Sequence, residues 1–80
     1  MRYVYLLESI QFHGKKYVGI TSNLESRLQA HNAGQFPHTA PFRPWKIVVS
    51  IKFEDDARAA EFEKYLKSGS GNAFAHKRLW

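Results

Sequence analysis

Residue types suited to proton transfer and phosphate binding occur in a distinctive order along the chain. Two tyrosine tripeptides, Tyr3-Val4-Tyr5 and Tyr17-Val18-Gly19, are followed by Arg27, His31 and Glu63. Arg27 and His31 are four residues apart, so they share one face of a helix. A guanidinium offers a planar fork of donors that matches phosphate oxygens, and a carboxylate is a ligand for hard divalent cations. These are side-chain types that the hydrolysis of a phosphate ester would use.

Each of these residues has a simpler structural explanation when it is considered alone. Tyr5 and Tyr17 suit strands, which favour aromatic side chains. Arg27 suits an exposed helix surface, and His31 suits the end of a helix, where a cation complements the dipole. Glu63 falls on the apolar side of its predicted helix, where a carboxylate needs a partner, and the lysine four residues further on can supply one. The joint order and spacing, rather than any single residue, points to a site.

The first half of the chain predicts two strands and a helix. Tyr3–Glu8 and Lys16–Thr21 are rich in β-branched and aromatic residues. The short connection between them favours antiparallel pairing. Ser22 and Glu25 form a capping box, which predicts a helix over residues 23–33.

The second half of the chain begins with a loop over residues 35–44, which holds all three prolines. Three further elements follow: a strand over Trp45–Phe53, a helix from Asp55 or Asp56 to about Lys67, and a short final helix over Asn72–Leu79. The order is β-β-α-β-α-(α). It predicts a small α+β fold in which helices pack around a three-stranded antiparallel sheet, with residues 1–80 as one domain.

Two strand positions carry more specific expectations. Gly19 is unusual inside a strand, where glycine marks either a bulge or the close approach of a ligand. The third strand alternates over Ile47, Val49, Ile51 and Phe53, which predicts that these side chains face the same side of the sheet. The Ser68–Gly71 segment is rich in serine and glycine and is expected to end the preceding helix.

Composition limits the classes of protein that fit this chain. The 80 residues include 12 Lys and Arg against 7 Asp and Glu, which gives a formal net charge of +5 and favours a polyanionic partner such as nucleic acid. There is no cysteine, which excludes disulfides and thiolate metal sites. No apolar run approaches the roughly 20 residues of a membrane span. We therefore expect a cytoplasmic protein with no membrane partner.

The sequence resembles the GIY-YIG nuclease domain over nearly its whole length. The two tyrosine tripeptides alone are a weak signal, but further matching segments make the resemblance specific. These segments are Ser26-Arg27-Leu28, His31-Asn32, Gly34 and Phe62-Glu63. The similarity is greatest to small stand-alone bacterial members that are similar to the N-terminal domain of an excision-nuclease component, and these share strings such as Arg43-Pro44-Trp45. DNA repair, restriction and mobile elements are all settings that fit this likeness, and the sequence does not separate them.

The resemblance implies a metal-dependent endonuclease that hydrolyses DNA phosphodiesters with one divalent cation, Mg²⁺ or Mn²⁺. By residue-by-residue correspondence, Tyr17 would help to activate water and Tyr5 would orient or assist it. Arg27 would bind the scissile phosphate, and Glu63 would ligate the metal. His31 matches a position that is His or Tyr in relatives, and it would support the site. One carboxylate is few for a metal site, but Mg²⁺ tolerates this because it keeps waters and takes substrate phosphate as a ligand.

Basic residues outside the central set suggest where nucleic acid would lie. Lys15 and Lys16 flank the hairpin, and Arg43 and Lys46 border the proline loop. They would bracket a phosphate track, with three residues as possible base-stacking groups. These three are Phe36, His38 and Phe42. The alternative is a dispersed, solvated basic surface, and the sequence does not separate the two interpretations.

Two other functions fit the same fold. A non-catalytic nucleic-acid-binding module would keep the basic surface, but it would not need the metal carboxylate at Glu63. A protein–protein adaptor would need an acidic partner to match the basic charge of this chain. The complete set of candidate catalytic residues favours the nuclease. Both a monomer and a homodimer are compatible with the sequence.

Overall fold

The fold is organised by an antiparallel sheet of three strands, β1 (Arg2–Ser9), β2 (Lys16–Thr21) and β3 (Trp45–Phe53). In this computed structural model, which describes residues 1–80, β1 lies between β2 and β3. Because β1 is central, it is covered on both sides, and its residues from Val4 to Leu7 are each at most 1% exposed. The predicted sheet and its antiparallel pairing are confirmed.

Three α-helices complete the architecture: α1 (Leu24–Asn32), α2 (Asp56–Leu66) and α3 (Gly69–Arg78). The loop between α1 and β3 also contains a short 3-10 helix over Ala40–Phe42. The element order confirms the predicted α+β class and its β-β-α-β-α-α sequence. None of the helices is both long enough and apolar enough to cross a bilayer.

The N-terminus of α1 differs from the prediction. The cap is Asn23 rather than Ser22, because the Asn23 side chain accepts a hydrogen bond from the Ser26 backbone N–H at 3.0 Å. Thr21 sets this register, since its hydroxyl accepts from the Asn23 N–H at 3.1 Å and forms a turn directly after β2. The predicted capping box of Ser22 and Glu25 is therefore wrong by one residue, although Glu25 still lies in the first turn of the helix.

The serine- and glycine-rich segment after α2 is the start of α3 rather than a loop. Ser68 caps this helix, and its hydroxyl accepts a hydrogen bond from the Gly71 N–H at 3.2 Å. Gly71 is needed for close packing of the two helices, because a Cβ there would overlap the carbonyl oxygen of Tyr65. The predicted start of the last helix at Asn72 is therefore three residues too late.

Two hydrophobic clusters lie on opposite faces of β1. Val4 and Leu6 belong to one cluster, together with apolar side chains of α2 and α3. Tyr5 and Leu7 belong to the other, which includes the buried Trp45 and the partly buried leucines of α1. This division follows from the alternation of side chains along a strand, and it places Tyr5 on the face that α1 covers.

An irregularity in the pairing of β1 with β3 changes the predicted face of one residue. Leu6 pairs with Val49, whereas Leu7 pairs with Ile47, so β3 contains one extra residue at this point. Such a bulge shifts the side-chain alternation of the bulged strand relative to its partner. Val49 therefore packs with the first cluster and Ile47 with the second. The predicted single face for both residues is wrong.

Candidate active site

The two candidate tyrosines lie side by side on the face of the sheet that α1 covers. Tyr5 pairs with Gly19 across the first two strands, and Tyr17 pairs with Leu7. The phenol rings are therefore diagonal neighbours, with ring centroids 6.3 Å apart. Gly19 makes this arrangement possible, because a Cβ at that position would overlap the Tyr5 phenol. The prediction for Gly19 is therefore wrong in both forms, because the pairing of β1 with β2 has no bulge and the group that approaches Gly19 closely is the Tyr5 side chain rather than a ligand.

His31 connects α1 to these tyrosines. It is 1% exposed, and its Nε2 lies 3.0 Å from the Tyr5 hydroxyl. Its Nδ1 lies 2.8 Å from the hydroxyl of Thr39, a residue that is also buried. The imidazole also packs edge-on against Tyr17, with ring centroids 5.1 Å apart. Both ring nitrogens therefore have partners, and the orientation of the ring is fixed from two sides.

The hydrogen-bonded chain continues from His31 into the core. The backbone carbonyl of Thr39 accepts a hydrogen bond from the Trp45 indole N–H at 2.9 Å. The start of β3 is tied to α1 as well, because the Asn32 side chain bonds both the N–H and the carbonyl of Trp45. Tyr5 is consequently held by a framework that involves the sheet, α1 and the loop before β3.

Burial and local charges shift the pKa values of the two central groups. Burial is the main cause that raises the pKa of Tyr5 to about 12, with a further contribution from Tyr17. The Arg27 charge opposes this shift, and the Glu63 charge adds to it. Burial, assisted by the Arg27 charge, lowers the pKa of His31 from its ordinary value. At neutral pH the pair is therefore an uncharged phenol beside an uncharged imidazole.

Arg27 reaches this pair from α1. Its guanidinium carbon lies 5.5 Å from the centroid of the Phe36 ring, and Phe36 packs against His31 at 4.7 Å between ring centroids. The side chain is half-buried, so its cation is presented at the edge of the cluster rather than in bulk solvent. A cation on an aromatic face beside a buried phenol is well placed to bind an approaching phosphate.

Glu63 approaches from α2 and is paired with Lys67. Its carboxylate lies 2.5 Å from the Lys67 ammonium, and its side chain is 18% exposed. The same ammonium lies 5.9 Å from the centroid of the Tyr17 ring. The Glu63 charge raises the pKa of Tyr5, and the Lys67 ammonium that pairs with Glu63 lies over the Tyr17 ring. The structure therefore brings all five sequence-predicted residues to one region. They are Tyr5, Tyr17, Arg27, His31 and Glu63.

The Glu63 carboxylate is the one protein group in this region that is suited to ligate a divalent cation. No group of three or more His, Cys, Asp or Glu residues has the arrangement of a metal site. This donor set fits Mg²⁺ or Mn²⁺ held by one carboxylate, waters and substrate phosphate, and it does not fit an all-protein cage. A cation that binds Glu63 meets the Lys67 ammonium, which already lies on one oxygen of this carboxylate.

The basic residues predicted to bind nucleic acid lie at the end of the sheet where β1 ends and β2 and β3 begin. Lys16 and Lys46 flank Glu8 in the strand register, and Lys16 forms an ion pair with it at 3.3 Å. Lys15 lies 4.7 Å from the centroid of the Phe42 ring. Arg43 packs its guanidinium against Gly34.

The aromatic residues proposed for base stacking have different surroundings. Phe36 packs on His31 and Arg27 and is thus part of the central cluster. Phe42 packs on Phe12, with ring centroids 5.5 Å apart. His38 is exposed and lines an open cleft beside Tyr17.

Two residues of the site were not found by sequence reasoning as functional groups. Thr39 lies eight residues after His31 in an irregular loop, and no local pattern marks it as the partner of a buried imidazole. Lys67 was recognised only as an ordinary helical partner of Glu63, although its spacing of four residues already placed the ammonium beside the candidate metal ligand. Its proximity to Tyr17 depends on the packing of α2 beside β2.

Comparison with known proteins bears on the family and the fold of the chain. Residues 1–77 match the model of the GIY-YIG catalytic domain. The chain belongs to the GIY-YIG family. It is 37% identical over 73 residues to a UPF0213 protein of Clostridium perfringens (strain 13 / Type A), an alignment that covers 90% of this chain and 76% of the relative. The fold is similar to the solution NMR structure of a UPF0213 protein from Bacillus halodurans, with a TM-score of 0.57 and 25% sequence identity. That likeness covers 99% of this chain and 87% of the other.

Membership of this family gives a general expectation for the site. GIY-YIG domains are generally nucleases, which bind nucleic acid and use divalent metals. The resemblance drawn from the two tyrosine tripeptides and the residues that follow them is therefore confirmed at the level of the family.

Proposed function

We propose that this protein is a metal-dependent endonuclease that hydrolyses DNA phosphodiester bonds at the region around Tyr5. The observation that carries the proposal is that side chains from three elements meet in one cluster. The strands bring the Tyr5 and Tyr17 rings to 6.3 Å between centroids, and α1 brings His31 to the Tyr5 hydroxyl and Arg27 to the Phe36 ring. From α2, Glu63 pairs with the Lys67 ammonium that lies over Tyr17. A guanidinium suited to phosphate and a carboxylate suited to a cation thus lie around a pair of tyrosines, which are the groups that phosphodiester hydrolysis needs.

The two tyrosines have different parts in the proposal. Tyr5 is 1% exposed and stays protonated, since its pKa is about 12, so it acts as a fixed hydrogen-bonding group rather than a base. Tyr17 is half-buried and lines the open cleft, so it is more accessible to water than Tyr5 is. Tyr17 is thus the group that helps to activate water, and Tyr5 orients it. His31 keeps the Tyr5 phenol in place through the 3.0 Å hydrogen bond.

The charged residues supply the remaining requirements. Arg27 binds the scissile phosphate through its planar fork of donors and stabilises the negative charge that develops in the transition state. Glu63 holds the divalent cation, which supplies Lewis-acid chemistry when it is bound. Lys15, Lys16, Arg43 and Lys46 hold the flanking strand through phosphate contacts, since they share one end of the sheet with the start of β2, where Tyr17 lies.

The test is a cleavage assay with duplex, single-stranded and branched DNA in Mg²⁺, in Mn²⁺ and in EDTA. We expect metal-dependent nicking in the wild type and a loss of roughly 100-fold or more in Arg27→Ala and Glu63→Gln, the usual cost of removing a transition-state charge contact. Arg58→Ala is the matched control, because Arg58 is exposed on the same helix as Glu63. Circular dichroism checks that each variant is folded.

A different outcome of this assay would identify the alternative function. Salt-sensitive DNA binding without nicking in either metal would contradict the nuclease and indicate a binding module that retains the GIY-YIG fold. In that case Arg27→Ala would weaken binding uniformly across DNA structures, and Glu63→Gln would not weaken it, because a binding module has no use for a metal carboxylate.

A further inference from the structure

Lys67 lies between two residues of the candidate active site. Its ammonium is 2.5 Å from the Glu63 carboxylate and 5.9 Å from the centroid of the Tyr17 ring. It also lines an open cleft of about 400 Å³ beside Tyr17. The polar and aromatic side chains of this cleft include those of Lys16, Tyr17, Lys67, Asn72, His76 and Trp80.

The contact between Lys67 and Glu63 differs from an ordinary ion pair on a protein surface. Such pairs usually join two exposed side chains, as Lys52 and Glu54 do here, at 51% and 88% exposure. The Glu63 side chain is only 18% exposed, whereas that of Lys67 is 53% exposed. The carboxylate is thus partly enclosed, while the ammonium has solvent on its other side and is free to turn away.

The charges of the cleft favour an anionic occupant. Lys16 and Lys67 line it, and no aspartate or glutamate side chain does. Lys16 is paired with Glu8, and its side chain is 24% exposed, whereas that of Lys67 is 53% exposed, so Lys67 is the more accessible cation of the two. Concave surfaces with one sign of charge focus the field and concentrate ions of the opposite sign.

A divalent cation and the Lys67 ammonium compete for the same carboxylate. Glu63 is the only protein carboxylate proposed for the metal, and both of its possible partners are positive. When the cation takes Glu63, Lys67 loses its anion and is repelled by the cation, so it needs another negative partner. The phosphate groups of a bound strand are the anions that the proposed function brings to this position.

We propose that Lys67 is a phosphate-binding residue that is held on Glu63 in the metal-free protein and is transferred, when a divalent cation binds Glu63, to a phosphate of the strand lying in the cleft beside Tyr17. This inference rests on the proposed function, because it assigns a subsite to the same substrate. It also implies that the metal-free protein binds nucleic acid less tightly than its charge allows, since one of its cations is neutralised.

The test is a double-mutant cycle on nucleic-acid binding in EDTA, where no cleavage takes place. The probe is a short fluorescein-labelled DNA oligonucleotide, and the readout is fluorescence anisotropy over a series of salt concentrations. We expect Glu63→Gln to raise the affinity about threefold to fivefold, the upper range for one exposed ion pair, because it releases Lys67. The double variant Glu63→Gln with Lys67→Met should lose this gain, and its salt slope should fall by about one phosphate contact.

Matched controls separate the released lysine from the general change in charge. Glu61→Gln removes one negative charge from an exposed position of the same helix and should give a smaller gain in DNA affinity. This smaller gain should persist when Lys67→Met is added. Lys64→Met removes one exposed lysine from that helix and should not abolish the gain caused by Glu63→Gln. A second readout is Mn²⁺ binding followed by electron paramagnetic resonance, in which Lys67→Met should bind the ion about twofold to fivefold more tightly.

The outcomes distinguish this inference from the proposed nuclease. An affinity gain in Glu63→Gln that survives Lys67→Met, or no gain at all, would overturn the phosphate-binding role while leaving any observed cleavage intact. Coupling between the two residues without metal-dependent nicking would support the phosphate subsite and contradict the nuclease. Unchanged Mn²⁺ affinity in Lys67→Met would overturn the competition between the ammonium and the metal.

Discussion

The hydroxyl of Tyr5 lies 3.0 Å from Nε2 of His31, and each residue is 1% exposed. This hydrogen bond joins the central strand to the last turn of α1, across a separation of 26 residues. It is made between two neutral groups, because burial raises the pKa of the phenol and lowers that of the imidazole. The pair therefore positions the site without placing a buried charge in it, and its effect on stability depends on pH.

Acid is expected to destabilise the protein through His31. The pKa of His31 is below its ordinary value of 6.5 in the folded state, so the unfolded chain binds the proton more readily. The contribution of His31 to the free energy of unfolding is fully present above about pH 6.5 and is lost as the pH falls below that value. The free energy of unfolding then decreases by at most about 1.4 kcal/mol per pH unit. Urea denaturation at a series of pH values measures the slope.

The variant His31→Gln isolates that contribution, because it removes the titrating group and keeps a polar side chain. We expect the variant to be less stable at pH 7.5 and to have a shallower loss of stability below pH 6.5 than the wild type. His76→Gln is the comparison on an exposed histidine. Equal slopes in the wild type and His31→Gln would show that His31 does not account for the acid sensitivity.

Alkaline pH is expected to destabilise the protein through ionisation of Tyr5. Its pKa is raised to about 12 in the folded protein, against an ordinary value of 10.0. Between these values the unfolded chain releases the phenolic proton first, so stability from this group is present below pH 10 and is lost as the pH rises towards 12. Spectrophotometric titration should show one of the four tyrosines ionising late, and Tyr5→Phe should remove that late step. Late ionisation that persists in Tyr5→Phe would assign it to another residue.

Local features of the fold were predicted from the sequence more successfully than features that depend on long-range contacts. Strand and helix types followed from periodicity, and the position of Glu63 on the apolar side of α2 was predicted from spacing alone. The positions that failed depend on contacts that periodicity does not contain. Asn23 replaced Ser22 as the cap because Thr21 forms a turn with it, and Ile47 changed face because of a bulge opposite Leu6 and Leu7.

The candidate site shows the same division. Its five residues were proposed from their order in the chain, but the contacts that bring them to one region were not accessible from that order. Thr39 lies in an irregular loop, and its contact with His31 is set by the hydrogen bond from Trp45 to the Thr39 carbonyl. Lys67 reaches Tyr17 only because α2 packs beside the edge strand β2. Contacts of this kind are determined by the packing of whole elements.

Thr39→Val tests the loop's part in holding the imidazole. The substitution keeps the shape of the side chain and removes the hydroxyl that lies 2.8 Å from Nδ1 of His31. A buried polar atom that loses its partner costs about 1–3 kcal/mol, so we expect a loss of stability of that size in urea denaturation. Thr39→Ser retains the hydroxyl and should recover most of the loss. Equal losses in the two variants would show that the methyl group, rather than the hydrogen bond, is important.

Gly19→Ala tests the packing of the two tyrosines. Gly19 is buried opposite Tyr5, and a Cβ there would overlap the phenol ring, which has no free space because its hydroxyl is bonded to His31. Overpacking of this kind usually costs about 1–3 kcal/mol. We expect a loss of stability of that size in urea denaturation, with a smaller pH dependence below pH 6.5, since displacement of Tyr5 exposes His31.

The matched control for this substitution is Gly69→Ala. Gly69 lies in the first turn of α3, and a Cβ there would meet no atom within 4 Å. Alanine favours helix more than glycine does, so this variant should be as stable as the wild type or more stable. If Gly19→Ala retains both wild-type stability and metal-dependent cleavage, the Tyr5 ring can move without loss of function. A rigid contact between Tyr5 and His31 would then not be a requirement of the site.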